Sequence, residues 1–310
     1  MRPPSFVFLS GGTGTPKLLQ GVVNVIDARN ITVIGNTGDD WNFYGLHVSP
    51  DIDSILLTLS DLIDTKKWWG IKDDTFNLVD FLKIRLKEDV WFNLGDFDAG
   101  LCLYRSYLLN QGKSLTVAVE IIRKRLNIQS CVLPMADQAI QTKVRTPKQT
   151  LHLQEYWVKY KGKGQVTNVF FEGDLQKTTD QVLEAIHKAD TIIIGPSNPI
   201  SSVGPILALH PLREALQEAS GYRVAISPII GTNAVSGPTS VFLKSWGHEV
   251  SPLAIVELFQ DILDAFVIHK TDTIYSDSIK GMGITPILDD IYIPTKSDAS
   301  RLFKRIMDSK

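Results

Sequence analysis

The sequence predicts an α/β protein with a doubly wound, Rossmann-like and mostly parallel sheet, interrupted by a helical and β insertion. Apolar stretches near both ends of the chain alternate with segments of helical period. Each of these apolar stretches runs into a loop rich in Gly, Pro or Ser. This alternation of apolar strands with helical segments is lost between about residues 65 and 165. We therefore expect one α/β domain over residues 1–310, with the insertion at 65–165.

The first 35 residues predict one βαβ unit. Residues 6–9 are continuously apolar, which is typical of a parallel strand that is buried on both faces. A glycine-rich loop follows, and then apolar residues recur at helical spacing over 18–26. A second strand is predicted at 31–34, and the crossover between the strands is expected to be right-handed.

The rest of the chain divides into a helical part, a β-like part and a part in which strands and helices alternate again. The predicted helices lie at 52–63, 76–87, 98–110, 114–126 and 253–266. A hairpin is predicted from residues 141–146 and 151–160, which flank Pro147-Lys148. The remaining predicted strands lie at 191–195, 222–226 and 266–269.

Composition excludes several classes of protein. The 310 residues include 32 basic and 34 acidic side chains, so the net charge of −2 offers no electrostatic footprint for nucleic acid or an anionic membrane. No apolar run approaches the roughly 18 to 20 residues that span a bilayer. The two cysteines, Cys102 and Cys131, do not form a secreted disulfide scaffold. We expect a cytoplasmic protein that binds neither nucleic acid nor membrane.

The loop after the first strand is the strongest candidate for phosphate binding. It reads Gly11-Gly12-Thr13-Gly14-Thr15-Pro16-Lys17 and opens a helix. Glycines there let backbone amides approach a phosphate, and the helix dipole favours negative charge. The spacing is not that of a P-loop, and Lys17 stands where a dinucleotide fingerprint has its third glycine. The alternative is a tight turn that binds no ligand.

Two more loops with small polar residues follow predicted strands. They read Gly-Pro-Ser-Asn-Pro at 195–199 and Ser-Pro-Ile-Ile-Gly at 227–231. Ligands in doubly wound folds bind beyond the carboxyl ends of the strands. Three such loops together predict a cradle for the phosphates of a nucleotide.

Aspartates are concentrated in close pairs within the first hundred residues. The pairs are Asp39 with Asp40, Asp51 with Asp53, Asp73 with Asp74 and Asp96 with Asp98. Carboxylates that face one cleft need a cation or a shared proton, and oxygen ligands of this kind suit magnesium. The alternative is helix capping, with Ser49 as N-cap and Pro50 as first helical residue. The six histidines and two cysteines show no zinc spacing, and no serine-hydrolase elbow is present.

Taken together, these segments resemble the 2-phospho-L-lactate transferases of deazaflavin coenzyme (coenzyme F-420) biosynthesis. The similar stretches run in family order over about residues 5–270. They are Ser-Gly-Gly-Thr-Gly-Thr-Pro-Lys at 10–17, Asn-Thr-Gly-Asp-Asp-Trp at 36–41, Ser-Pro-Asp-Ile-Asp-Ser at 49–54, Trp-Trp-Gly-Ile-Lys-Asp-Asp-Thr-Phe at 68–76, Leu-Gly-Asp at 94–96, Leu-Pro-Met at 133–135 and the loops at 195–199 and 227–231. Phe97 and Cys102 stand where relatives commonly have arginine and histidine, whereas Arg105 is retained.

The resemblance implies a magnesium-dependent transfer to 7,8-didemethyl-8-hydroxy-5-deazariboflavin. The donor would be guanosine diphosphate carrying a small hydroxy acid, which is lactate, enolpyruvate or glycerate, and GMP would leave. A homodimer is implied as well. Two competing interpretations are a non-catalytic nucleotide-sugar-binding regulator of the gluconeogenesis-factor type and a dinucleotide-binding oxidoreductase. The segments at 49–53 and 68–69 argue against the regulator, and Lys17 argues against the oxidoreductase.

On this basis we assign candidate residues to each part of the reaction. The catalytic candidates are Asp51 and Asp53. The candidates for acceptor binding, expected to form a wall opposite the nucleotide loops, are Asp51, Trp68, Trp69, Asn93 and Asp96. The candidates for nucleotide and phosphate binding are Gly11, Gly12, Thr13, Gly14, Thr15, Lys17, Ser197, Asn198, Ser227 and Gly231. The candidates for binding Mg²⁺ are Asp40 and Asp53.

Overall fold

Strands and helices alternate through most of the chain in the computed structural model, which describes residues 3–235 and 237–310. The strands are β1 (Phe6–Ser10), β2 (Ile31–Gly35), β3 (Trp41–Phe43), β4 (Leu46–Val48), β5 (Cys131–Pro134), β6 (Ile140–Arg145), β7 (Thr150–His152), β8 (Asn168–Gly173), β9 (Thr191–Ile194), β10 (Tyr222–Ile226), β11 (Ile229–Ile230), β12 (Asn233–Ala234), β13 (Ala265–His269) and β14 (Thr285–Asp289). The helices are α1 (Gly14–Val22), α2 (Pro50–Leu59), α3 (Asn77–Asp80), α4 (Asp96–Asn110), α5 (Leu115–Arg125), α6 (Asp180–Lys188), α7 (Gly204–Leu207), α8 (His210–Glu218), α9 (Thr239–Ser245), α10 (Pro252–Phe259), α11 (Ser276–Gly281) and α12 (Lys296–Met307).

Seven of the strands form one central sheet in the order β14-β13-β10-β9-β1-β2-β5. Every neighbouring pair in it is parallel. The chain builds outward from β1 in one direction and then returns to add β9 on its other side. This arrangement confirms the predicted doubly wound α/β class.

The central strands are apolar throughout because both faces of the sheet are covered. Along β1, Val7 and Leu9 belong to one buried cluster, whereas Phe6 and Phe8 belong to the cluster on the opposite face. Successive side chains of a strand point to opposite faces, so a continuous apolar run serves two cores. Phe303 of α12 packs on the second face, with its ring 5.7 Å from that of Phe6.

The reversal of strand order between β1 and β9 positions the loops of interest. Glycine-loop residues follow β1, and residues 195–199 follow β9 at the same edge of the sheet. A doubly wound sheet opens a crevice at this switch point, where the two loops diverge. The three-stranded antiparallel sheet β7-β6-β8 is a separate sheet contributed by the middle of the chain.

Within 65–165, one stretch belongs to the central sheet. The strand β5 pairs in parallel with β2, at the edge of the seven-stranded sheet. Only four residues make this strand, so its apolar pattern is too short to be recognised as a return to the core.

Several predicted boundaries differ from the structure. The hairpin of 141–146 with 151–160 forms as β6 with β7, but its second strand ends at His152 and Glu155–Lys159 is a π-helix. The helix predicted at 253–266 ends as α10 at Phe259, followed by a 3-10 turn. Neither β14 nor α12 was predicted. Among the described residues, no helix is long and apolar enough to cross a membrane.

Candidate active site

A cleft of about 300 Å³ opens at the switch point between β1 and β9, and we call it the glycine-loop cleft. The loops after these strands line it with Gly12, Thr13, Gly14, Ser197, Asn198, Ser201 and Ser202. Two carboxylates, Asp39 and Asp51, face the same space. The middle of the chain adds Leu153, Gln154 and Trp157. The structure thus brings five of the predicted nucleotide-binding residues and Asp51 into one cleft.

The two loops are tied together beneath the cleft by buried contacts. The Thr15 amide donates to Ser197 Oγ at 3.3 Å, and the two hydroxyls lie 3.0 Å apart. A Cβ on Gly14 would lie 2.0 Å from the carbonyl oxygen of Pro196, so only glycine permits this approach. Gly12 has a φ of +58°, a backbone conformation that glycine adopts readily. Thr15 and Gly14 therefore hold the cradle in shape.

Asn198 lines the cleft and has a side-chain donor that no described residue accepts from. Its Oδ1 accepts from the amides of Ile200 at 2.9 Å and Ser201 at 3.1 Å. Its Nδ2 is buried and makes no hydrogen bond with the described residues. Buried donors of this kind are rare because the lost hydrogen bond is costly. An anionic oxygen placed in the cleft satisfies this donor.

Asp51 is a buried carboxylate at the first turn of α2. It is 5% exposed, and its Oδ2 accepts from Asn36 Nδ2 at 2.8 Å. Burial raises the pKa of Asp51 to about 6, more than the Gly12 amide and Asn36 lower it. A carboxylate with a pKa near neutrality is suited to accept a proton at physiological pH.

Asp39 lines the same cleft and has an oxygen that accepts no hydrogen bond from the described residues. Its Oδ1 is buried and makes no hydrogen bond with the described residues. Burial, together with the charge of Asp51, raises the pKa of Asp39 well above its usual range. No group of three or more His, Cys, Asp or Glu side chains among the described residues forms a cation site. Asp39 and Asp51 are two carboxylates in one cleft, and the described residues that line it include no lysine or arginine.

Asp53, two residues beyond Asp51, has a different environment. Its carboxylate pairs with the guanidinium of Arg105, whose side chain is fully buried. Arg105 Nη1 also donates to Asp53 Oδ2 at 3.2 Å and to the carbonyl of His47 at 3.1 Å. Both Asp53 oxygens are thus engaged by a neighbouring cation.

A second, smaller cleft of about 90 Å³ lies on the Asp53 side of α2, and we call it the tryptophan cleft. Its lining includes Asp53, Trp69, Asn93 and Asp98. Burial, and then the charges of Asp53 and Asp74, raise the pKa of Asp98 to about 7. The structure therefore places Trp69 and Asn93, two of the predicted acceptor residues, around one opening.

Trp68 and Trp69 do not share a wall. Trp68 lines a third cleft of about 190 Å³ together with Gly14, Lys17 and Ser227. Lys17 Nζ lies 5.1 Å from the centre of the Trp68 ring, and burial lowers the pKa of Lys17. Because Trp68 has a φ of +62°, the chain turns between the two tryptophans. Trp68 thus lies beside the glycine loop and not opposite it.

The remaining predicted residues have partners within the protein. Asp96 accepts from the amides of Asn77 at 3.0 Å and Leu78 at 2.9 Å, so it caps α3. Asp40 accepts from Ser49 Oγ at 2.6 Å and contacts His47 Nε2 at 2.8 Å.

Two of the glycines predicted to bind phosphate also have structural contacts. Gly231 donates to Asp272 through its amide at 3.0 Å. Gly11 packs against Ser202, since a Cβ there would lie 2.6 Å from the Ser202 carbonyl oxygen.

Sequence reasoning did not assign a role to Asp39, Gln154 or Trp157. Asp39 belonged to a recognised pair, but adjacent carboxylates cannot be told apart by spacing. Gln154 and Trp157 fall in a stretch predicted to be a strand, and no motif signals them. Their position depends on the π-helical turn that brings the insertion over the cleft.

Comparison with known proteins identifies the family. A family model described as 2-phospho-L-lactate transferase CofD matches residues 6–291. The 2-phospho-L-lactate transferase of Methanocaldococcus jannaschii is 39% identical over 305 residues, covering 97% of this chain and 96% of that protein. The protein of the same name from Methanococcoides burtonii is 38% identical over 302 residues, covering 97% and 98%.

Solved structures support the fold. A protein from Bacillus halodurans aligns with a TM-score of 0.66 at 20% identity, covering 99% of this chain and 100% of that one. At this identity the likeness shows the fold alone. The family follows from the near full-length matches in sequence: the chain belongs to the 2-phospho-L-lactate transferase family and is a transferase enzyme.

Proposed function

We propose that this enzyme is a magnesium-dependent transferase of coenzyme F-420 biosynthesis. It moves a phospho-hydroxyacid, which is a lactyl, enolpyruvyl or glyceryl phosphate, from a guanosine diphosphate donor. The acceptor is the terminal ribityl hydroxyl of 7,8-didemethyl-8-hydroxy-5-deazariboflavin, and GMP is released. We also propose that the enzyme acts in the cytoplasm as a homodimer.

The observation that carries this proposal is the joint lining of the glycine-loop cleft. Gly12, Gly14 and Asn198, whose Nδ2 has no hydrogen-bond partner among the described residues, line the same space as the buried carboxylate of Asp51. Phosphoryl transfer depends chiefly on positioning and on neutralising charge, and a base helps the nucleophile. This cleft supplies donors for phosphate oxygens beside a carboxylate whose pKa is about 6.

The carboxylates of the cleft suit Mg²⁺, which often takes one or two carboxylates together with substrate phosphates. Asp39 fits because its buried Oδ1 has no partner among the described residues, whereas Asp51 in the same cleft is kept for the role of base. Asp40 and Asp53 fit less well because His47, Ser49 and Arg105 occupy their oxygens. When bound, the cation neutralises charge on the phosphates of the donor.

The protein's own groups then have separate roles. Asp51 accepts the proton of the ribityl hydroxyl as its oxygen forms a bond to the phosphorus that bears the acid. The bond from that phosphorus to the bridging oxygen breaks, and GMP leaves with that oxygen. Asn36 orients Asp51 through its 2.8 Å hydrogen bond. The buried pair of Arg105 with Asp53 holds the first turn of α2 in place.

The acceptor approaches from the tryptophan cleft in this proposal. Trp69 is 45% exposed there, so its ring is available to contact a flat heterocycle. Asn93 and Asp98 supply polar groups in the same cleft. Asp51 and Asp53 belong to the first turn of α2 and line different clefts, so in this proposal the ribityl chain extends past the amino terminus of α2 to reach Asp51.

The experiment that tests this function offers the enzyme the deazariboflavin with each of the three guanylated acids. Mass spectrometry identifies the product, and GMP release is followed with and without added Mg²⁺. We expect one donor to give a phosphodiester product and GMP in equal amounts, with no turnover once the metal is chelated. Absence of product from all three donors contradicts the proposal.

A further inference from the structure

Trp157 is an exposed aromatic residue with a defined position over the glycine-loop cleft. Its side chain is 44% exposed and lines the cleft together with Leu153 and Gln154. It lies in the π-helix Glu155–Lys159, a kind of helix that is rare and is often found at functional sites. An exposed tryptophan facing a polar cleft has a large flat surface available for a ligand.

The indole is held against the backbone of the same segment. A Cβ on Gly162 would come within 2.8 Å of indole carbon Cζ3, so the ring rests on the bare backbone there. Gly162 has a φ of +63° and donates through its amide to the Tyr156 carbonyl at 2.9 Å. The buried Tyr156 donates its hydroxyl to the Gly162 carbonyl at 2.9 Å. The ring is therefore supported on one side before any ligand binds.

The lining of the cleft is polar where the central sheet forms it and largely apolar where the insertion forms it. Loops of the central sheet contribute glycine backbone, hydroxyls and the amide of Asn198, whose Nδ2 has no partner among the described residues. The insertion contributes Leu153, Trp157 and the side-chain amide of Gln154, which makes no hydrogen bond with the described residues. No lysine or arginine is among the described residues that line it. A nucleotide has the same division, with phosphates at one end and a flat heterocycle with polar edges at the other.

We propose that Trp157 stacks the guanine base of the donor and that the Gln154 amide hydrogen-bonds to the edge of that base. This inference rests on the guanosine diphosphate donor of the proposed function. Stacking of a nucleobase on an aromatic side chain contributes enough to change affinity about tenfold. Trp157 is then the residue that recognises the nucleoside, whereas the glycine loop binds the phosphates.

The competing location for the base is the third cleft. That cleft also presents a tryptophan, since Trp68 lies there beside Lys17 and next to Gly14. If the base lies on Trp157, Trp157→Ala weakens GDP binding, and if it lies on Trp68, Trp68→Ala does so instead. One binding experiment therefore distinguishes the two positions.

The experiment measures the binding of GDP and of inorganic pyrophosphate to the full-length protein by calorimetry. We expect Trp157→Ala to raise the Kd for GDP about tenfold and to leave the Kd for pyrophosphate unchanged. Trp157→Phe should retain most of the affinity while losing the quenching of tryptophan fluorescence by GDP. Tyr160→Ala is the matched control, because Tyr160 is 41% exposed three residues further on and does not line the cleft.

Three results would overturn the inference. One is GDP affinity in Trp157→Ala equal to that of the unmodified protein. Another is an equal loss for GDP and pyrophosphate, which makes Trp157 a residue that shapes the cleft. The third is loss of GDP affinity in Trp68→Ala instead, which places the base in the third cleft. In each case the unmodified protein still binds GDP and the proposed function stands, whereas an unmodified protein that binds no GDP overturns both.

Discussion

The two clefts on either side of the α2 amino terminus differ in whether the charge of their aspartate is compensated by a neighbouring cation. In the glycine-loop cleft, where no lysine or arginine is among the described lining residues, Asp51 is buried and its pKa is raised to about 6. Beneath the tryptophan cleft, Asp53 is paired with the fully buried Arg105. Both residues belong to the first turn of one helix. A carboxylate whose charge is compensated by an internal cation is held by the protein, whereas one that has only a neutral hydrogen-bond donor remains available for substrate, proton or metal.

The largest expected effect is a loss of stability when the cation that compensates Asp53 is removed. Arg105→Met leaves the Asp53 carboxylate buried without its cation, so we expect the free energy of unfolding to fall by about 3–5 kcal/mol. Chemical denaturation measures this loss. The double variant Arg105→Met with Asp53→Leu should recover part of it, because the uncompensated charge is gone. A loss below about 1 kcal/mol in the single variant would show that the pair is not needed for stability.

The next largest effect is a loss of turnover when the uncompensated carboxylate of Asp51 is removed. Asp51→Asn keeps the shape of the side chain and removes its charge, so turnover should fall at least about a hundredfold. Stability should be unchanged or increased, since a costly buried carboxylate is removed. For the unmodified enzyme, turnover should decline as the pH falls through about 6, where Asp51 takes up its proton. Near-normal turnover of the variant would end the assignment of Asp51 as the base.

The smallest effect concerns Asp98, which tests whether the tryptophan cleft also contains an uncompensated charge. Its pKa of about 7 lies above the usual 3.8, so the folded state holds the proton more tightly than the unfolded state. Stability contributed by the protonated form is therefore complete below about pH 4 and is lost as the pH rises through 7. Asp98→Asn should match the unmodified protein at pH 4 and exceed its stability at pH 8 by about 2 kcal/mol, roughly half of what the full shift would give, because solvent screens this part-buried carboxylate.

Thermal unfolding at the two pH values measures this difference. Asp277→Asn serves as the control and should show no such divergence, because the Asp277 side chain is 99% exposed and does not line this cleft. Equal stability of Asp98→Asn and the unmodified protein at pH 8 would mean that Asp98 is compensated in the same way as Asp53.

Local pattern alone determined the class of fold and the loops of the site. A fully apolar strand followed by a glycine loop and an amphipathic helix has one common solution, a βαβ unit with its loop at the carboxyl edge of the sheet. This is why the loops at 11–17 and 195–199 were predicted and were found together at the switch point. The order of these segments also sufficed to predict the family, which the comparisons confirmed.

Only the tertiary structure decided which partners each acid has. The partners that separate Asp51 from Asp53 are Asn36, 15 residues away, and Arg105, 52 residues away. The pKa of a carboxyl group depends on its burial and on nearby charge, and spacing along the chain encodes neither. The same reason places Trp68 and Trp69 in different clefts and brings Trp157 over the glycine loop. The sequence states the type of each residue, but the hydrogen-bond and ion-pair partners of a carboxylate are set only when folding brings distant segments together.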